Sequence, residues 1–304
     1  MSTPPPESPL SPHRTAERAG TPEPIGANIG GEAPTPAPPS ATEPDAAQDF
    51  WRELRGSTQA RIGLGRAGDA LPTTDVLALR AAHAAARDAV HLPLDTAALT
   101  EQLDVVGLGT ATTVASRAST RAEYLRRPDL GRLPADLSGV EKGSADIGFV
   151  LADGLSPRAL AEHGPGLLAA LAETLRERYT LAPPVIATQA RVALGDHIAE
   201  AMGVRTVLVI IGERPGLSVA DSLGIYLTHL PRPGRADADR NCISNIHPPD
   251  GLTYVDAARV VAGLVAGALA LGRSGVDLKD TSRAESLSAT DTSTIAAATE
   301  NRDH

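Results

Sequence analysis

Apolar positions recur along this chain in two rhythms, and the change from one to the other falls near residue 146. Before it the pattern is helical. Over 75–90, Val76, Leu79, Ala82 and Ala86 share one face while Arg80, His83, Arg87 and Asp88 take the other, the roughly 3.6-residue period of an amphipathic helix. Shorter helices are predicted at 96–103 and 120–126, the second stopping ahead of Pro128, which disfavours helical backbone in the residue before it. A helical turn at 49–55, ended by Gly56, and a Gly- and Arg-bearing loop at 57–68 come first; 131–142 is turn-rich and reads as a linker.

From 146 on, short unbroken apolar runs alternate with longer helical segments. The runs at 146–151 (DIGFVL), 184–188 (PVIAT) and 204–211 (VRTVLVII) read as buried strands, the last apolar on both faces as a central parallel strand should be. A fourth strand is predicted at 224–230 (GIYLTHL). Helices are predicted at 158–178, capped by Ser156 with Pro157 in its first turn, at 194–202, ended by Gly203, and at 254–271. A short helix at 218–222 and a long polar loop at 231–250 complete the pattern. This alternation predicts an α/β fold, a Rossmann-like open parallel sheet preceded by a small, mainly helical N-terminal region.

Composition sets the boundaries. Twelve of the 25 prolines lie in residues 1–50, and 1–46 has almost no large apolar side chains to offset chain entropy. The expected organisation is a disordered Pro/Ala-rich arm at 1–46, a helical region and linker at 47–143 and the Rossmann-like domain at 144–272. A disordered tail follows at 273–304. Of the formal charge of −9, −4 falls in 1–46 and −2 in 273–304, so the middle is close to neutral. That balance argues against nucleic acid or an anionic membrane as partner. The longest apolar run, 204–211, is too short to span a bilayer and contains Arg205; the N-terminus shows no basic-then-apolar signal pattern. A cytoplasmic location is expected. One cysteine excludes a disulfide framework or a cysteine-built metal site, and the eight histidines show no ligand spacing.

Four segments carry candidate chemistry. Gly63-Leu-Gly65-Arg-Ala-Gly68 matches the dinucleotide pattern G-x-G-x-x-G, but it follows a short polar segment rather than a strand and runs into 69–74, which contains Pro72, so a close-approach loop with Arg61 and Arg66 as donors is the better reading. Asp153-Gly-Leu-Ser-Pro157 ends the first strand; it offers a helix N-terminus to a ligand, or plain capping by Ser156. Gly212-Glu-Arg-Pro-Gly-Leu217 follows the strongest strand, where open α/β sheets bind ligands. Asp237-Ala-Asp-Arg-Asn-Cys-Ile-Ser-Asn-Ile246 gathers polar side chains around Cys242, which has no nearby His–Asn partner to activate it. No self-contained catalytic set emerges, as suits a subunit that holds a cofactor for another chain.

These blocks carry a resemblance. The runs 61–88 (RIGLGRAG…LALRAAHAAARDAV), 146–157 (DIGFVLADGLSP), 189–196 (QARVALGD), 211–217 (IGERPGL), 221–226 (DSLGIY) and 239–246 (DRNCISNI) are similar to the small subunit of ethanolamine ammonia-lyase, over about 49–272. The resemblance implies an adenosylcobalamin-dependent lyase that converts ethanolamine to acetaldehyde and ammonia by a radical mechanism. It is active only with a TIM-barrel large subunit, and the cobalamin lies between the subunits. It implies Val192, Glu213 and Cys242 as cofactor contacts, with no catalytic or metal-ligating residue in this chain. It also implies a hetero-dodecamer of six large and six small chains, and it allows for packaging in a bacterial microcompartment. The string D-x-H-x-x-G, whose histidine replaces the nucleotide base on cobalt in other cobalamin proteins, does not occur, so a base-on cofactor is expected. The competing readings are a stand-alone NAD-dependent oxidoreductase using 63–68 and a non-enzymatic assembly or cargo protein acting through its arm.

Overall fold

The computed structural model describes residues 46–280; the expected arm up to 45 and the tail from 281 lie outside the described residues. The chain divides into a unit Met1–Phe50 and a unit Trp51–His304, and of the first only the opening of helix α1 (Ala46–Gly56) is described. The second unit continues with α2 (Thr73–His91), α3 (Thr96–Asp104), β1 (Thr112–Ala115) and α4 (Arg121–Arg126). Then come β2 (Ile147–Ala152), α5 (Pro157–Leu175), β3 (Val185–Thr188), α6 (Leu194–Met202) and β4 (Thr206–Gly212). β5 (Leu223–His229), β6 (Asn241–Ile246) and α7 (Tyr254–Leu271) close it.

Six strands form one sheet in the order β1-β3-β2-β4-β5-β6. The first four run parallel, with β2 between β3 and β4 and Val150 opposite Val209. Every residue of β2 and β4 is buried, which explains why both read as unbroken apolar runs. The strand period of two sorts their side chains onto two faces. Phe149, Leu151, Leu208 and Ile210 pack with Leu160, Leu167 and Leu171 of α5 and with Val261, Leu264 and Val265 of α7. Val150, Ala152, Val207 and Val209 point the other way, onto Leu194, Ile198 and Ala199 of α6. By length and composition α7 would pass for a membrane span, yet Ala257, Ala258, Val261, Leu264, Val265 and Ala268 are buried inside the fold.

The helix ends follow local rules. Asp95, Thr120 and Ser156 each accept a backbone N–H of the helix they precede, and α6 ends on Gly203 at φ 72°.

The sheet departs from a purely parallel one. β4–β5 and β5–β6 are antiparallel. Only 213–222 separate β4 from β5, too short for the crossover of a dozen or more residues that a parallel return needs. β6 falls within the expected polar loop 231–250. It is an edge strand in which only Ile243 and Ile246 are buried, so its Asn and Ser residues imitate a turn. β1, on the opposite edge and likewise short and polar, comes from the region expected to be helical.

Residues 273–280, placed beyond the domain by composition, are held to it. Asn241 donates to the carbonyls of Gly275 and Leu278 at 3.1 and 3.0 Å, Ser274 Oγ accepts from His229 N at 2.9 Å, and Leu278 is buried in the core. One apolar residue anchors an otherwise polar segment that composition alone cannot separate from a tail.

Candidate functional site

The nine-residue α6 covers one face of the parallel strands and stops short of the antiparallel pair. Tyr226 of β5 therefore lies half-buried on that face, with Cys242 opposite it on β6. Two clefts open here; the first lies outside the carboxyl ends of β2, β3 and β4, and the second runs past Tyr226 toward 235–237.

Asp153, the first residue beyond β2, builds the floor. It is buried, and it accepts the N–H groups of Gln189 and Ala190 at 2.8 and 2.9 Å and Arg121 Nη1 at 3.3 Å. These bonds shape the turn after β3, where Gln189 takes φ 53°. Burial pushes the Asp153 carboxyl above its ordinary range, against the pull of the Ala190 N–H and the Arg121 charge. Burial likewise draws the Arg121 guanidinium down, with Asp153 opposing. Tyr124 locks the turn from the far side. Its hydroxyl donates to Ala190 O at 2.9 Å, and its ring lies between the guanidinium groups of Arg121 and Arg191, 4.8 and 4.5 Å from its centroid.

Gly154, at φ 53°, presses against the backbone of Gly212, and a Cβ on Gly212 would collide with Ser156 O. The strand ends thus meet without side chains between them, which leaves room above for a ligand. Ser156 is used locally: its hydroxyl accepts Ala159 N at 3.2 Å and donates to Ala220 O at 2.9 Å, so of the two readings of 153–157 the structure supports capping.

A cleft of about 440 Å³ lies above this floor, with Val192 and Glu213 both on its wall beside Tyr124, Arg191 and Tyr226. Glu213 does not pair with its neighbour Arg214. Its Oε2 accepts Ser222 Oγ at 2.7 Å and Asn245 N at 3.3 Å, and its carboxylate lies over Gly224. Cys242 is exposed and stands on the far side of Tyr226. Desolvation, more than the neighbouring Cys242, pushes the Tyr226 phenol up to about 12. Desolvation also raises the Cys242 thiol, so it is a poor thiolate at neutral pH.

The cleft set, with carboxylate, phenol, guanidinium and nearby thiol, suits a ligand rimmed with amide groups, since corrin side chains both donate and accept hydrogen bonds. Arg191 Nε on the cleft wall, buried with no partner among the described residues, supplies further unused hydrogen-bonding capacity. The residues therefore fit a corrinoid.

The sequence signal for Arg191 is its place beside Val192 in QARVALGD; nothing in the periodicity marks Tyr124 or Tyr226. Asp196, in the first turn of α6, is buried against Arg240. The loop at 63–68 neither follows a strand nor opens a helix. Gly63 gives way to the ring of Trp51, Arg61 donates to Leu217 O at 2.9 Å and Ser218 donates to Gln59 O at 3.0 Å. It is a close-approach loop that packs on the segment after Glu213, without the context of a dinucleotide site. Away from the clefts, Glu162, His163 and Asp221 come together, but Arg158 pairs with both carboxylates at 3.5 and 3.3 Å.

An open α/β sheet with its cleft outside the carboxyl ends of parallel strands defines a Rossmann-like ligand-binding domain. The chain belongs to the ethanolamine ammonia-lyase light chain (EutC) family, whose model matches residues 48–279. It is 69% identical over 247 residues to the ethanolamine ammonia-lyase small subunit of Rhodococcus erythropolis, covering 81% of this chain and 96% of that one. It is 47% identical over 251 residues to the small subunit of Ralstonia nicotianae, covering 80% and 92%, and 46% identical over 254 residues to that of Rhodopseudomonas palustris, covering 82% and 97%.

Proposed function

We propose that this chain binds adenosylcobalamin in the cleft above Gly154 and Gly212 and works with a large subunit to convert ethanolamine to acetaldehyde and ammonia. The observation that carries the reading is the convergence of Val192 and Glu213, from loops after two different strands, on one cleft, with Cys242 across Tyr226 from it. Val192 gives apolar contact and backbone, Glu213 accepts amide N–H groups of the corrin rim, and Cys242 packs without attacking. Ser222 and Asn245 hold the Glu213 carboxylate in place, so it is oriented before a ligand arrives. The chemistry supplied by the cofactor when bound is a carbon radical able to take hydrogen from the substrate carbon bearing the hydroxyl. This chain's part is to bind, orient and exclude water.

The same reading keeps the cofactor's own base on cobalt, in line with the missing D-x-H-x-x-G string. Electron paramagnetic resonance of the complex loaded with cob(II)alamin should show nitrogen coupling that ¹⁵N labelling of the protein leaves unchanged. Helix α2, with Leu77 and Leu79 exposed, and the loop at 57–68 supply the surface for the large subunit, in an assembly of six copies of each. The decisive experiment mixes this chain, the large subunit, adenosylcobalamin and ethanolamine. Acetaldehyde should form only when all four are present; formation without this chain or without the cofactor refutes the proposal.

A further inference from the structure

A second cleft, of about 480 Å³, adjoins the first and shares Arg191, Val192 and Tyr226 with it. Three arginines from three separate segments line it: Arg132, Arg191 and Arg235. None of them pairs with a carboxylate among the described residues. Arg191 Nε and Arg235 Nε are buried with no hydrogen-bond partner, a standing penalty unless an acceptor joins them. Arg191 is held by its stacking on Tyr124, and Arg235 donates from Nη2 to Leu230 O at 3.0 Å, so both guanidinium groups are anchored at one end.

The other charges facing the cleft are few. Asp237 lines it, but its carboxylate is 90% exposed and lies 3.8 Å from Arg240 Nε. Asp196, in the first turn of α6, is consumed by Arg240 inside the fold. Ala193, also on the wall, precedes α6 and provides no side-chain cap, so the positive end of the helix adds to the three guanidinium charges. Forked donors of this kind, two of them with a buried and unpartnered Nε, suit an oxyanion with several lone pairs.

We propose that this second cleft is an anion subsite that receives the phosphodiester of the nucleotide loop of a cobalamin seated in the first cleft. The inference rests on the cobalamin reading above and adds to it. The phosphodiester is the one formal anion on the periphery of that ligand. The shared wall at Arg191 and Val192 makes the two clefts a continuous path from corrin rim to nucleotide loop.

The test uses the complex of this chain with its large subunit and compares cobinamide with cobinamide phosphate by equilibrium dialysis, read by visible absorbance. Wild type should bind the phosphate form about tenfold tighter, the scale of one charge-assisted hydrogen bond. Arg235→Met, which lines only the second cleft, should shrink that advantage to about threefold or less while leaving cobinamide affinity unchanged; Arg191→Met should also shrink it, and Arg191→Lys should keep more of it than Arg191→Met. If Arg191→Met fails to assemble, Arg235→Met decides. An advantage absent in wild type, or persisting in the variants that assemble, overturns the subsite. Inorganic phosphate binding to wild type with no preference for cobinamide phosphate would make free phosphate the occupant and also overturn it. Failure of wild type to bind either corrinoid overturns the cobalamin reading itself, an outcome distinct from the others.

Discussion

Arg240 and Asp196 meet in a two-pronged ion pair sealed inside the protein, with Nη1 to Oδ1 at 2.8 Å, Nη2 to Oδ2 at 2.6 Å and each side chain 1% exposed. Thr228 Oγ1 and the carbonyl of Arg235 also accept from Nη1 and Nη2, at 2.8 and 3.1 Å, while Nε has only Asp237 Oδ1 nearby, at 3.8 Å. The pair ties the start of α6, which follows Val192, to the start of β6, which carries Cys242. Removing one partner strands the other charge in a dry site. Asp196→Ala or Arg240→Met should therefore destabilise the chain by about 3–5 kcal/mol, whereas Asp196→Leu combined with Arg240→Met should recover much of that loss. Urea unfolding of the single and double variants checks this; singles within about 1 kcal/mol of wild type would contradict the geometry.

Glu213 is oriented by Ser222 and by the N–H of Asn245. Glu213→Ala should weaken cobalamin binding by about 1–3 kcal/mol, the range for a lost buried hydrogen bond. Ser222→Ala should weaken it by less, because it loosens the carboxylate without deleting it. Titration of each complex with cobalamin separates the two, and unchanged affinity in Glu213→Ala removes that residue from the site.

How much of this was legible in the sequence follows from burial. β2 and β4 are covered on both faces, so their apolar runs announce them. β1 and β6 are edges with one or two buried residues each, and their Thr, Asn and Ser carry no strand rhythm. Glu213 was visible as a charged residue at a strand end, where the topology of an open sheet directs attention, whereas Val192 came only through the family resemblance. Arg191, Tyr124 and Tyr226 were not visible, because their roles depend on a turn fixed by Asp153 from a distant strand and on an antiparallel return that spacing shows only in hindsight. Asp196 and Arg240 are 44 positions apart, and no local pattern joins them.

Cys242 is exposed, yet desolvation raises its thiol, with the hydrogen bond from Tyr226 and the charge of Glu213 as lesser influences of opposite sign. A raised thiol is mostly protonated at neutral pH and reacts slowly. Alkylation by iodoacetamide at pH 7 should run slower than for free cysteine, and Cys242→Ala should retain most of the deaminase activity of the assembled complex. Fast alkylation, or complete loss of activity with cofactor binding intact, would restore the nucleophile reading.

His229 supplies a pH response. It ends β5 opposite Thr206 of β4, is buried, and its Nδ1 lies 2.9 Å from Thr206 Oγ1. Burial, with the charges of Arg205 and Arg235, lowers its pKa from 6.5. The folded chain therefore binds this proton less readily than the unfolded chain. The stability it contributes is fully present above pH 6.5 and is lost as pH falls through the lower folded value. His229→Gln, which cannot ionise, should lower stability somewhat at pH 7.5 but flatten its decline at acid pH, so the gap between variant and wild type narrows as pH drops below 6.5. Thermal unfolding of both proteins across that window reads the slope directly. A gap that stays constant with pH would mean that His229 titrates equally in the folded and unfolded chain.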